Sequence, residues 1–281
     1  MQIAIGTYDH TRGLKDGSVS APGLEFEFVE VSPITRAFRA MATQQAYDLS
    51  EMALATYMLA RVYDKPIVGL PIVLVRSSLL PGLVTASDSP ITDPRELKGK
   101  TLGIRSYTQT SGVWVRGILQ DGFGLDLSSL TWMTFEGAHV DEYSDPPSAS
   151  RAPSDKNIVD MLKSGELAAA IGVPAGEGIR PLVPDAAKAE ADWAAKSGIR
   201  TVNHILTVKK SLVDQDPQLP GKLTDLFDRA RGGNGASVPP IGIEPNRKAF
   251  EALARYCHEQ AVTPRQLTID ELFPTEASRV G

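Results

Sequence analysis

Short apolar runs rich in β-branched residues alternate along this chain with stretches of helical period. IAIG and LEFEFVEV read as strands, ITRAFRAMATQQ as a helix, and AYDLSE as a strand feeding the helix MALATYMLARVY. PIVGLPIVLV is the longest apolar run and reads as a buried strand. A turn-rich patch, SSLLPGLVTASDSPITD, precedes a helix start at DPREL, the strand KTLGIRS and the helix TSGVWVRGILQDGFG, which ends in glycines. The strand LTWMTF leads into FEGAHVDEYSDPPSASRAPSDKN, the most loop-like segment, and then the helix NIVDMLKSG. ELAAAIGV, DAAKAEADWAAKSG, TVNHILTV, PGKLTDLFDRAR and RKAFEALARYCHEQ complete an α/β alternation without internal repeats.

The patches at 77–92 and 196–204 flank β runs and read as crossovers between two lobes. They predict one lobe from residues 1–80 plus 205–281 and a second from 81–204, with a cleft between them lined by loops that feed helix N-termini. With 281 residues, 42% hydrophobic and 22% charged, the chain can bury a core of that size. Its net charge of -5 argues against nucleic acid or an anionic membrane surface as the main partner. The one cysteine, Cys257, leaves no internal disulfide and no CxxC site, and its helical setting predicts a packed residue. Met1 is followed at once by the strand-like QIAIG and not by a basic, then apolar leader, and no run approaches a membrane span. A cytoplasmic location is the expectation.

Candidate chemistry begins in GTYDHTRGL, where Tyr8, Asp9, His10, Thr11 and Arg12 arrive together after a short apolar run. His10 can act as acid or base and Arg12 can hold a carboxylate, while Asp9 either supports His10 or caps a helical turn. Ser50 and Glu51 end an apolar run, which places the Ser50 hydroxyl near a helix start and leaves Glu51 as a catalytic, capping or buried-pair carboxylate. Arg76 closes the most apolar strand, where a guanidinium needs a carboxylate ligand or an internal acid partner, and Ser77 follows it. Arg105, Ser106, Tyr107, Thr108, Gln109, Thr110 and Ser111 then run from a strand into a helix, offering hydroxyls and unpaired amides to an anion. Trp114 reads as core and His258 as surface. His204 sits in a strand at a crossover and is a site candidate. His139, Asp141 and Glu142 lack a second histidine at ligand spacing and read as a solvated loop, so no metal is expected.

YDHTRGLKDGSV, YDLSEMALATYM, LKGKTLGIRSYTQTSGVWVRGILQD, VNHILTVKKSLV and IEPNRKAFEALARYCHEQ together resemble the 4,5-dihydroxyphthalate decarboxylase family, from end to end of the chain. The resemblance implies the two-lobed α/β fold of type II periplasmic solute-binding proteins, with ligand in the interlobe cleft. It also implies a lyase that decarboxylates a small hydroxylated aromatic carboxylate without an organic cofactor, and a histidine at the position of His204. His10, His204 and Glu51 are then the catalytic candidates. Two stretches depart from the family pattern: Arg76-Ser77-Ser78 stands where Arg-His-Ser is expected, and GGNGASVPPIGIEPNR lacks an aromatic, so a reshaped pocket is expected. The competing expectation is a non-catalytic solute-binding protein for a small anion, which needs donors but no proton source.

Overall fold

The computed structural model of the chain describes residues 1–232 and 238–273. Eleven strands and ten α-helices follow one another among these residues. The first part holds β1 (Gln2–Ala4), α1 (Asp9–Lys15), β2 (Glu27–Phe28), α2 (Arg36–Gln44), β3 (Leu49–Ala53), α3 (Leu54–Val62) and β4 (Ile67–Val75). The middle holds β5 (Leu83–Ala86), β6 (Thr101–Ile104), α4 (Thr110–Phe123), β7 (Thr131–Thr134), β8 (Ala149–Arg151), α5 (Ile158–Lys163), β9 (Ala169–Ile171), β10 (Ile179–Pro181) and α6 (Ala186–Ser197). The last part holds β11 (His204–Lys209), α7 (Lys210–Gln215), α8 (Leu219–Ala230), α9 (Arg247–Glu259) and α10 (Ile269–Leu272).

These elements form two compact units. The first comprises residues 1–76, 202–254 and 265–281, and the second 77–201 and 255–264. Residues 255–264, which the sequence reading keeps with the first lobe, thus group with the second, where Arg255 pairs with Asp121 and the Tyr256 hydroxyl donates to the same carboxylate.

The first unit is built on a sheet of order β2-β1-β3-β11-β4, with β11 antiparallel to both its neighbours. Ile3, Leu49, Leu70, Leu206, Leu223 and Phe227 form its core. β4 is buried nearly throughout because it is covered on both faces, yet it contains Pro71. Its place at the sheet edge removes the need for a proline N–H, and the Pro71 carbonyl instead accepts from the Gly242 amide at 2.9 Å. Only Glu27–Phe28 of LEFEFVEV pairs as strand, at the other edge, while Phe26 and Phe28 pack on each other at 6.0 Å.

The second unit carries a mixed sheet of order β10-β5-β9-β6-β7-β8. The loop-like segment after β7 contains the short edge strand β8, paired parallel to β7. Helix α4 ends at Gly124, whose φ of +67° is the left-handed cap glycine tolerates best. Cys257 and Trp114 are fully buried, and His258 is exposed. Among the described residues no helix is long and apolar enough to cross a membrane.

Candidate active site

A set of titratable groups with buried partners lies in the first unit and centres on Glu51. Glu51 is an interior residue of β3 and fully buried, so its side-chain oxygens need hydrogen-bond partners inside the fold. Oε2 accepts from the Gly6 amide at 2.8 Å, and Oε1 accepts from the Tyr8 hydroxyl at 2.8 Å and from His204 Nδ1 at 2.6 Å. The carboxylate therefore fixes the tautomer of His204: Nδ1 carries the proton toward Glu51, and Nε2 is the nitrogen left to act. The His204 side chain keeps 18% of its surface exposed and has the Phe38 ring edge-on at 4.9 Å.

Tyr8 is the N-cap of α1, and its ring stacks on His10 at 5.3 Å. Burial and the Glu51 charge push the Tyr8 hydroxyl far above the usual phenol range, so it stays a donor. His10 Nε2 lies 3.0 Å from the Leu74 carbonyl. A carbonyl only accepts, so Nε2 carries the proton and Nδ1 is the basic nitrogen. Burial pushes the His10 imidazole below its ordinary value, which keeps it neutral near pH 7. The two histidines are thus held in opposite tautomers, one by a buried carboxylate and one by a backbone carbonyl. Gly6 permits this arrangement: a Cβ there would stand 2.4 Å from the Tyr8 ring, so any side chain would push the tyrosine off Glu51.

The remaining candidates sit as follows. Ser50 lies in mid-strand and not at a helix start, because β3 continues to Ala53; its hydroxyl donates to the Glu51 carbonyl at 2.8 Å. Asp9 and Arg12 pair with each other at 3.2 Å on the solvent side of α1, with side chains 95% and 65% exposed. Arg76 follows β4 and donates through Nη2 to Asn246 Oδ1 at 2.6 Å. Asn246 in turn donates to the carbonyls of Pro240 and Gly242, at 2.9 and 2.8 Å, so one internal partner of Arg76 is an amide. Ser77 is exposed. Residues 233–237, at the start of the run that lacks an aromatic, lie outside the described residues.

In the second unit Arg105 is held by Glu136 at 2.8 Å. Ser106, Tyr107, Thr108 and Thr110 are buried, the hydroxyls of Ser106 and Thr108 are 3.2 Å apart, and Gln109 Nε2 donates to Ser111 Oγ at 2.7 Å. Tyr107 packs against Trp132. Two cavities, of about 450 and 760 Å³, are lined wholly by this unit; the first borders Tyr107, Arg116 and Gln260, the second Lys100, Lys163 and Glu166. Neither of these two cavities is lined by a histidine. Gly6, Asn246 and Arg116 are the residues that sequence reasoning passed over, although a glycine right after an apolar strand and an arginine inside an apolar helix were visible signals.

No family model matches the chain. It is 29% identical over 248 residues to the 4,5-dihydroxyphthalate decarboxylase of Comamonas testosteroni, covering 82% of this chain and 74% of that protein. It is 30% identical over 182 residues to the enzyme of the same name from Pseudomonas putida, covering 61% of this chain and 69% of the relative. The chain belongs to the 4,5-dihydroxyphthalate decarboxylase family. This family member has the two-lobed fold of type II solute-binding proteins. The periplasmic aliphatic sulphonate binding protein SsuA from Escherichia coli superposes over 97% of this chain and 91% of its own, with a TM-score of 0.62 and 13% identity. The ligand-binding component of an ABC-type import system from Staphylococcus aureus matches over 99% of this chain and 97% of its own, with a TM-score of 0.59 and 10% identity. The desulfurization enzyme DSZB matches over 99% and 97%, with a TM-score of 0.52 and 14% identity.

Proposed function

We propose that this chain is a decarboxylase acting on a small hydroxylated aromatic carboxylate of the 4,5-dihydroxyphthalate type, by acid–base chemistry of its own side chains. The observation that carries the reading is the pair of imidazoles in opposite tautomers, joined through Tyr8 and Glu51. Solute capture needs neither a buried carboxylate behind a histidine nor a second, neutral histidine beside it.

In the proposed reaction His10 Nδ1 takes the proton of the ring hydroxyl para to the departing carboxylate, which raises electron density at the carbon bearing that carboxylate. His204, after taking a proton from solvent at Nε2, gives that proton to this carbon, and Glu51 balances the imidazolium charge until transfer. The carbon–carboxylate bond then breaks, its electron pair restores the aromatic ring, and CO2 leaves. His10 returns its proton to the ring oxygen, and solvent reprotonates His204. Arg76 supplies a cationic group for a substrate carboxylate in this scheme.

The purified chain, incubated with a panel of hydroxylated benzoates and phthalates, tests this reading through CO2 release, with thermal shift followed in parallel. In D2O, one deuterium should appear at the vacated ring carbon. A second reading, capture of a small anion without turnover, is supported by the binding-protein names of two of the structures that share the fold. Micromolar binding of an aromatic acid with no CO2 from any member of the panel would favour it.

A further inference from the structure

GTYDHTRGL holds one buried polar residue to which the proposed reaction gives no part. Asp9 and Arg12 pair on the surface, whereas Thr11 is fully buried in the first turn of α1. Its hydroxyl accepts from the Tyr8 amide at 2.8 Å and donates to the Gly6 carbonyl at 2.8 Å. The Tyr8 carbonyl is already satisfied, by the amides of Thr11 and Arg12 at 3.0 and 2.9 Å.

Half of this is ordinary capping. A side chain in the first turn that accepts from the N-cap amide completes a capping box, a place usually filled by glutamate or glutamine. The bond to Gly6 is different, because that carbonyl lies before the N-cap and α1 does not need it held. A carboxylate could not hold it, since it only accepts, but a hydroxyl both accepts and donates.

What the second bond holds is the backbone from Gly6 to Tyr8. The pairing of β1 with β3 reaches only to Ala4 opposite Ser50, and α1 starts at Asp9. Between them Lys15 holds the side chain of Thr7 at 2.9 Å, while Thr11 holds the peptide groups on both sides of Thr7. Two of the three donors to Glu51 hang from that backbone, the Gly6 amide on Oε2 and the Tyr8 hydroxyl on Oε1; the third, His204, comes from β11.

We infer that Thr11 is a positioning residue for the Glu51 centre: its hydroxyl sets the Gly6 and Tyr8 peptides so that the Gly6 amide and the Tyr8 phenol reach the carboxylate that holds His204. The expected effect on turnover rests on the reaction proposed above; the expected effect on the centre rests on the hydrogen bonds alone.

Thr11→Val keeps the shape and removes the hydroxyl, and Thr11→Ser does the reverse. Both should melt earlier than the wild type, so stability does not separate positioning from plain structure. Turnover does. By CO2 release, Thr11→Val should lower kcat about a hundredfold, the scale of a small misplacement at a reacting centre, with a much smaller change in KM, while Thr11→Ser stays within about threefold of wild type. Ligand-free protein labelled with 15N at its four histidines gives a second readout. The Nδ1 proton of His204, identified by its loss in His204→Asn, should move downfield in Thr11→Val, because Oε1 loses the competing Tyr8 donor and the bond from His204 strengthens; in Thr11→Ser it should stay in place. A Thr11→Val protein with wild-type kcat, or with an unmoved Nδ1 proton, overturns the role. If Thr11→Val does not fold, Thr11→Ala against Thr11→Ser, which differ by the hydroxyl alone, decides by the same two readouts. If the wild type releases no CO2 from any acid, the proposed function fails, and the position of the Nδ1 proton still decides whether Thr11 sets the centre.

Discussion

Replacing Glu51 with glutamine isolates the chemistry proposed for this family member. The carboxylate takes three donors, from Gly6, Tyr8 and His204, and glutamine keeps the shape but only one oxygen. With that oxygen on the Gly6 amide, the new NH2 faces the Tyr8 hydroxyl and His204 Nδ1. His204 must then present the Nδ1 lone pair to the amide and carry its proton on Nε2, with no counter-charge for an imidazolium. Loss of a working general acid predicts a kcat lower by about 10²–10⁴, or roughly 3–5 kcal/mol of barrier. Stability should move far less. Each lost charge-assisted hydrogen bond is worth about 1.5–3 kcal/mol, but glutamine also removes the desolvation penalty of a buried carboxylate, which is several kcal/mol. The two nearly cancel, so Tm should shift by only a few degrees. Steady-state CO2 release and thermal unfolding on the same preparation check both halves. A Glu51→Gln protein that keeps more than about a tenth of kcat with an unchanged pH profile would refute the tautomer argument.

Three further outcomes follow from the geometry. Gly6→Ala should cost about 1–3 kcal/mol and most of the turnover, since its Cβ meets the Tyr8 ring at 2.4 Å; wild-type activity by the CO2 assay would mean that Tyr8 is dispensable. Asn246→Ala removes an acceptor from Arg76 and the donors to the carbonyls of Pro240 and Gly242, so urea unfolding should report a loss of about 2–4 kcal/mol, and an unchanged midpoint would show that these groups repartner. His10 is lowered by burial below the ordinary histidine value of 6.5, so between that value and its folded-state value the unfolded chain binds more protons. Stability should therefore be fully present above about pH 6.5 and fall as the pH drops through that window, a slope that His10→Asn should remove in pH-dependent urea titrations.

Much of the α/β alternation was legible because helical period and buried β runs are strong local signals: PIVGLPIVLV, TSGVWVRGILQDGFG and DAAKAEADWAAKSG became β4, α4 and α6 within a residue or two. LEFEFVEV was harder, since its alternation reflects two phenylalanines packing over the core edge and not a long paired strand. β8 was hidden because an edge strand of three residues, Ala149–Arg151, has no hydrophobic pattern to show. At the site, His10, Glu51, Tyr8 and His204 could be named from residue type, but their linkage could not. It depends on contacts 43 and 153 residues apart in sequence, from Tyr8 and His204 to Glu51. Arg76 was read as needing a partner, yet nothing local said that it would be the amide of Asn246, 170 residues away.

The Glu51–His204 pair is a consequence of strand register. β11 runs antiparallel to β3 with Leu206 opposite Glu51 and His204 opposite Ala53. Side chains alternate along a strand and cross-strand partners share a face, so Glu51 and His204 are diagonal neighbours on one face of the sheet. A slip of one residue would turn the imidazole to the other face and leave the carboxylate buried without it. On its other side β11 shifts register against β4 between His204 and Ile205, so the histidine stands where the ladder is irregular, the kind of place where a bulge re-aims a side chain. Glu51, by contrast, sits where β3 is continuously buried, which keeps water from competing for its oxygens. A fixed carboxylate and an imidazole at one sheet position are what the proposed proton transfer needs, and strand pairing brings the two together.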